Sequence, residues 1–403
     1  MLNMNQSIYP FLLLLLCSLT GCEGFFGTRT PIDFLDEPTF DERQVAYVPI
    51  QPVWDEIGYP IDVIAGYDEL IYVADSISSE IISFDQAGNE TGRFFVPGLH
   101  AIAQDRQLNL YATGTKDTTI DGIDFTLAAL YRIDLNRSGA YGLNQASIDT
   151  AIVHPFYFRI SSPVLSDQEV RFLGLATRGN GDLYLVRSGP SNIPNQFGGP
   201  DDAVLSVINQ DGQLQSPRPL RISTELGVFN DYFQAPRAIT TRSQAPQTPG
   251  PRSERGFYFT SASPSVALGV QSILRIEDVG GVTYRQEQLA SQDTSKADGI
   301  LYEAQRFVTP SDITIAGDET GYVFIVDAAK DSLYQFNAQG FEGVEAPQGS
   351  RSDKFIRVSF GGTGQGLTQF NQPRGVAYLN QLLYVADAGN GRILRFQLTT
   401  DFD

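Results

Sequence analysis

The chain is poor in the side chains that cross-link proteins and ligate metals. Of 403 residues, two are cysteine, two histidine, two methionine and one tryptophan. Both cysteines, Cys17 and Cys22, fall in the first 22 residues. The rest of the chain can therefore hold neither a disulfide framework nor a zinc site built from cysteine and histidine. Basic residues are scarce as well: 28 Lys and Arg stand against 47 Asp and Glu, a formal charge of −19. So acidic a surface repels phosphate backbones, which excludes nucleic acid as a partner. The apolar run Phe11–Cys17 has seven residues, too few to cross a bilayer as a helix. The signatures G-x-S-x-G and H-E-x-x-H are absent, and so is the phosphate loop. What is present is 42% hydrophobic and 19% charged, which is apolar enough to fold. The length suits two or three ordinary domains or one large all-β domain.

Residues 1–21 carry no charged side chain. The Phe11–Cys17 run suits the apolar core of a signal peptide, and Leu19-Thr20-Gly21-Cys22 follows it at the right depth. Those four residues resemble the bacterial lipobox, although the usual Lys or Arg ahead of the apolar core is missing. The resemblance implies a lipoprotein signal peptide over 1–21, acylation of Cys22 and a mature chain of 403 − 21 = 382 residues. Residues 22–44 are acidic and aperiodic and read as a flexible tether. A chain of that length reaches about 25 Å, enough to hold a folded body clear of lipid headgroups. The expectation is a lipid-anchored protein of the bacterial cell envelope, on the outer membrane, with its side of the membrane left open.

The remainder, 45–403, repeats. Asp75 is followed nine residues later by Phe84, Asp327 by Phe336, and Asp387 by Phe396. Each Asp closes an apolar run: Tyr72-Val73-Ala74, Phe324-Ile325-Val326 and Leu383-Tyr384-Val385-Ala386. Weaker copies begin at Leu110, Leu183 and Phe257, so there are six units. The last is the fullest: Phe370-Asn371-Gln372-Pro373-Arg374-Gly375-Val376-Ala377, then Leu383-Tyr384-Val385-Ala386-Asp387, then Asn390-Gly391-Arg392-Ile393 and Phe396. This unit resembles an NHL repeat. The reading is all-β, a six-bladed β-propeller, because such units bury both faces only by stacking around a ring. The sixth unit ends without a fourth strand, and the apolar segment 44–50 has no blade of its own. That segment is expected to complete blade six and close the ring.

Three links between second and third strands are long. They span 19, 21 and 15 residues in blades two, three and four against nine elsewhere, all on one face. The connections at 143–171 and 214–235 join them, and bring the binding candidates Phe156, Tyr157, Phe229 and Tyr232. The regular Asp75, Asp327 and Asp387 read as acceptors for backbone N–H groups, with Arg392 as a brace. Near the starts of the innermost strands stand Asp62, His100, Arg237, Asp312 and Arg374, able to meet around a cation or an anion. Asp62, His100 and Asp312 are the candidate ligands for a divalent cation in the central channel. Arg237 and Arg374 are further binding candidates. Propellers similar to this one include zinc-dependent amidating lyases and calcium-dependent lactonases, but neither pattern can be matched here residue by residue. The resemblance mostly implies a binding platform. The expected function is an envelope scaffold, monomeric outside its complexes, that binds a protein or glycan on blades two to four. The alternative is a metal-dependent hydrolase or lyase at the channel mouth.

Overall fold

A computed structural model describes residues 45–137, 139–246, 255–287, 295–347 and 353–401. The expected signal peptide, Cys22 and the expected tether lie outside the described residues. The body, residues 42–347 with 352–403, is a ring of six antiparallel blades. Blade one is Pro60–Ala65, Ile71–Asp75, Glu80–Phe84 and Glu90–Phe95, from the axis outward. The inner strands of blades two to six are Ile102–Gln104, Arg171–Thr177, Pro236–Thr241, Pro310–Ile315 and Pro373–Leu379. Proline suits the start of four of the six inner strands, Pro60, Pro236, Pro310 and Pro373, because that position needs no ladder donor.

Every second strand has a continuous buried, mostly apolar core, and the reason is visible in the packing. Ile71 and Val73 point into the seam with blade six, while Tyr72 and Ala74 point into the seam with blade two. The same alternation recurs at Leu183/Leu185 against Tyr184/Val186, and at Val323/Ile325 against Phe324/Val326. Period-two side chains with both faces buried give a continuous apolar strand. Six apolar clusters follow, one in each seam of the ring.

Blade six takes its outer strand from the other end of the chain, as expected. Tyr47–Trp54 pairs antiparallel with Arg392–Leu398, Tyr47 opposite Leu398 and Trp54 opposite Ile393. Tyr47 enters the seam between blades five and six. Trp54 enters the next seam, stacked on Phe84 at 4.9 Å with the Arg395 guanidinium over its ring at 4.9 Å. The strand runs four residues beyond the 44–50 segment read from sequence, so that Trp54 can reach its seam.

The links between second and third strands differ in detail from the spacing argument. They hold four residues in blades one, five and six, fourteen in blade three (189–202) and eight in blade four (262–269). The excesses are thus ten and four rather than twelve and six, because the third strands pair in a different register from the one assumed. In blade two the extra residues lengthen the hairpin itself, Leu110–Ile120 with Ile123–Asp134. The stretches 143–171 and 214–235 are not plain connections. Ser147–Val153 is the outer strand of blade two. Ile222–Thr224 and Gly227–Phe229 form a hairpin that extends blade four to six strands.

Candidate functional site

The strand-end aspartates knot each turn to the loop below it. Asp75 accepts from the N–H groups of Tyr59, Gly58 and Ile77 and from the Ser78 hydroxyl. Asp327 accepts from Val308, Thr309, Ala329 and Lys330, and Asp387 from Asn371. Arg392 donates to Asp387 at 2.7 Å. These carboxylates are consumed by backbone donors, which is a structural role.

Blade three breaks the rule in an informative way. Its equivalent of Asp75 is Arg187, opposite Phe172 just as Asp75 is opposite Pro60. Arg187 is fully buried. It donates to the carbonyls of Asp201, Gly198 and Pro200 and to the Tyr157 hydroxyl, at 2.6–2.9 Å. A short turn presents N–H groups and wants an acceptor, whereas this long loop folds its carbonyls inward and wants a donor. Gly198 shows how tight the fold is. It has φ +77°, and a Cβ there would lie 2.1 Å from the Phe158 ring.

The same knot fixes the connection 154–170. His154 is buried, with Nδ1 3.2 Å from the Tyr157 hydroxyl and Nε2 3.2 Å from the Asp167 carboxylate. Burial, then the nearby Arg187 charge, pushes its imidazole down to about 4, so it is neutral at pH 7. Arg159 completes the network on Asp167 at 2.9 Å.

On these braced loops and the two hairpins beside them lies a run of exposed apolar side chains. Ile123 tips the blade-two hairpin, Ile160, Val164 and Leu165 follow on the connection, and Ile193 and Phe197 lie on the blade-three loop. Leu226, Val228 and Phe229 lie on the added hairpin. Ile160, Phe197 and Leu226 are 98, 77 and 91% exposed. The segments touch one another in sequence around the face. Ser162 bonds Asp121 at 3.2 Å, Phe197 meets Phe158 at 5.9 Å between ring centroids, and Asn230 bonds Asn195 at 3.4 Å. Of the aromatic candidates, Phe229 is exposed in this set and Phe156 is half-buried. Tyr157 and Tyr232 are half-buried supports whose hydroxyls engage Arg187 and Gln271.

The second feature is the channel, a cavity of about 360 Å³ lined by the inner strands. Its far end is closed by the loop after the inner strand of blade four. Ser243 meets the Tyr67 hydroxyl of the opposite blade at 2.9 Å, and Ala245 packs among Val63, Ala377 and Leu379. The end near Asp62, His100, Arg237, Asp312 and Arg374, all of which line the cavity, is on the face that bears the long loops. Asp62 accepts from the Ile102 N–H and Asp312 from the Val376 N–H, each at 2.8 Å, tying one blade to the next. Burial pushes Asp62 up to about 7. Burial, then the charge on Asp62, pushes Asp312 well above the usual carboxylate range. Enclosure by the channel walls, then the charges of Arg237, Arg374 and Arg171, lowers the His100 imidazole, although the residue itself stays exposed to the channel. Among the described residues no three His, Cys, Asp or Glu side chains come together as a metal-ligand set. Asp62, His100 and Asp312 line one cavity without forming such a set.

The NHL repeat model matches residues 370–396, the first three strands of blade six. With five further four-stranded or larger blades around the ring, the body is a six-bladed β-propeller whose last blade carries an NHL repeat. A comparison with curated proteins gave no match. Among solved structures the chain is similar to a PQQ-bound aldose sugar dehydrogenase from Streptomyces coelicolor. The identity is 14% and the TM-score 0.50, over 88% of this chain and 98% of that one. It is also similar to auxiliary nutrient binding proteins from Bacteroides thetaiotaomicron VPI-5482 and Bacteroides ovatus ATCC 8483. Their identities are 12% and 13%, each with TM-score 0.51, over 90% and 88% of this chain and 74% and 77% of theirs. At such identity these likenesses establish the fold of a β-propeller scaffold and leave its chemistry to the residues.

Proposed function

We propose that this propeller is an envelope binding platform, tethered through acylated Cys22, that holds its partner on the long-loop face of blades two to four. One observation carries the reading: exposed aliphatic and aromatic side chains are displayed together on one face, those at 160–165 and 193–197 on segments locked by a buried polar network. Ordered loops lose little entropy on binding, and apolar surface of that kind marks interaction sites. The aliphatic make-up favours a protein over a glycan as the partner. Two similar Bacteroides structures are described as auxiliary nutrient binding proteins, which is compatible with a binding role and names no ligand for this chain. Ile193→Ser, Phe197→Ser and Leu226→Ser together are expected to abolish capture of the partner by the purified body.

The anchor has its own test. Cys22→Ser should move the protein from the membrane fraction to the soluble fraction, because a single acyl site takes its affinity with it. Unchanged partition of that variant would refute the lipoprotein reading while leaving the binding face untouched.

A further inference from the structure

The starts of the inner strands share a distortion that the repeat pattern does not announce. In five of the six blades the pairing with the second strand slips by a bulge at that level. The slipped positions include Ile61, Leu173, Arg237, Ser311 and Arg374, and each of these five lines the cavity. A bulge frees a residue from the ladder and re-aims its side chain, which is why bulges gather at sites that must present a group. Two of the five are arginines.

Those arginines lack counter-charges. Among the described residues neither Arg237 nor Arg374 makes a hydrogen bond or an ion pair, and Nε of Arg374 is buried without a partner. Carboxylates are available in the same cavity, yet Asp62 and Asp312 are turned to the backbone of neighbouring blades. Arg237 is exposed to the channel and Arg374 half-buried, so both present guanidinium donors to the cavity that no carboxylate of the chain occupies. Arg374 and Arg237 come from different blades, so an anion between them would be held from separate directions by charge-assisted donors.

We propose that the mouth of the channel binds a small ligand through an oxyanion group, a carboxylate or a phosphate, held by Arg237 and Arg374. The cavity is large enough for a small molecule and is closed at its far end by Tyr67 and Ser243, so the ligand enters and leaves through the long-loop face. Leu99, Leu173 and Ile239 beside the arginines suit a ligand with an apolar body behind its charged group. This site is separate from the apolar loop surface and does not depend on it.

The test is calorimetric titration of the full body at pH 6 with inorganic phosphate in one series and acetate in the other. Saturable one-to-one binding of either probe is expected, and the stronger of the two identifies the oxyanion. Arg237→Gln and Arg374→Gln should each weaken it by about tenfold or more, the loss of one charge-assisted pair. Arg374→Lys should fall between, keeping charge but losing the fork. Asp62→Asn, which keeps the acceptor for Ile102 and replaces a carboxyl already mostly neutral at pH 6, should leave binding at that pH unchanged. It also guards against misfolding as the cause of any loss. Failure of the wild-type body to bind either probe, or wild-type affinity in both Arg→Gln variants, would overturn the proposal. Loss of binding in the loop-surface triple variant would also count against it.

Discussion

A body lacking residues 45–54 is expected not to fold. Blade six would lose its outer strand, leaving Arg392–Leu398 as a bare edge, and two seams would each lose a buried aromatic residue. Val45, Tyr47 and Trp54 are 4, 6 and 5% exposed. Truncating a buried Tyr or Trp costs about 3–5 kcal/mol each, so the deletion removes on the order of 10 kcal/mol. Net domain stability is about 5–15 kcal/mol, so the loss is comparable to the whole. Trp54→Ala isolates one element and should cost about 3–5 kcal/mol in urea unfolding. Part of that cost is the lost stacking partner for Phe84 and for the Arg395 guanidinium, which also donates to the carbonyls of Gln86 and Pro52. A deletion variant that melts with the full body would show that the ring does not depend on this strand.

Arg187→Met is the second large effect. Methionine fills much of the volume but donates nothing, so three inward-facing carbonyls and the Tyr157 hydroxyl lose their buried donor. Each buried acceptor left without a donor costs about 1–3 kcal/mol, so the loss of several together should exceed about 3 kcal/mol. The damage should be local before it is global. Loop 189–202 should become open to limited proteolysis, while cleavage at the short turns of blades one, five and six is unchanged. The network also runs through Tyr157 to His154 and Asp167, so the connection 154–170 should loosen with it. A variant within about 1 kcal/mol of the parent would mean that solvent replaces the guanidinium freely, and that the loop is not held from below.

The sequence made the ring legible for a physical reason. Middle strands bury both faces, so Tyr72-Val73-Ala74-Asp75 and its copies stand out as uninterrupted apolar runs closed by an acceptor. The orphan strand was legible by subtraction, since blade six lacked a fourth strand. Other features depend on contacts between residues distant in sequence. The plug rests on Tyr67 and Ser243, 176 positions apart. The added hairpin at 222–229 reads as a loop because its partner, Gly281–Gln286, lies more than fifty residues on. Bulges leave no mark in composition, and so Arg237 and Arg374 read as rim residues without their shared geometry. One signal was present and easily missed. Where three repeats place Asp, blade three places Arg187, and that inversion of charge marks the loop that folds carbonyls inward.

The central claim is that the long-loop face does the binding. It is tested most directly by chemical cross-linking of the membrane-anchored protein, comparing three forms of matched melting temperature. The parent should yield one discrete partner. The Ile193→Ser, Phe197→Ser, Leu226→Ser variant should lose that partner, and Arg237→Gln with Arg374→Gln should keep it. Retention of the partner by the loop-surface variant, or its loss from the channel variant alone, would contradict the account.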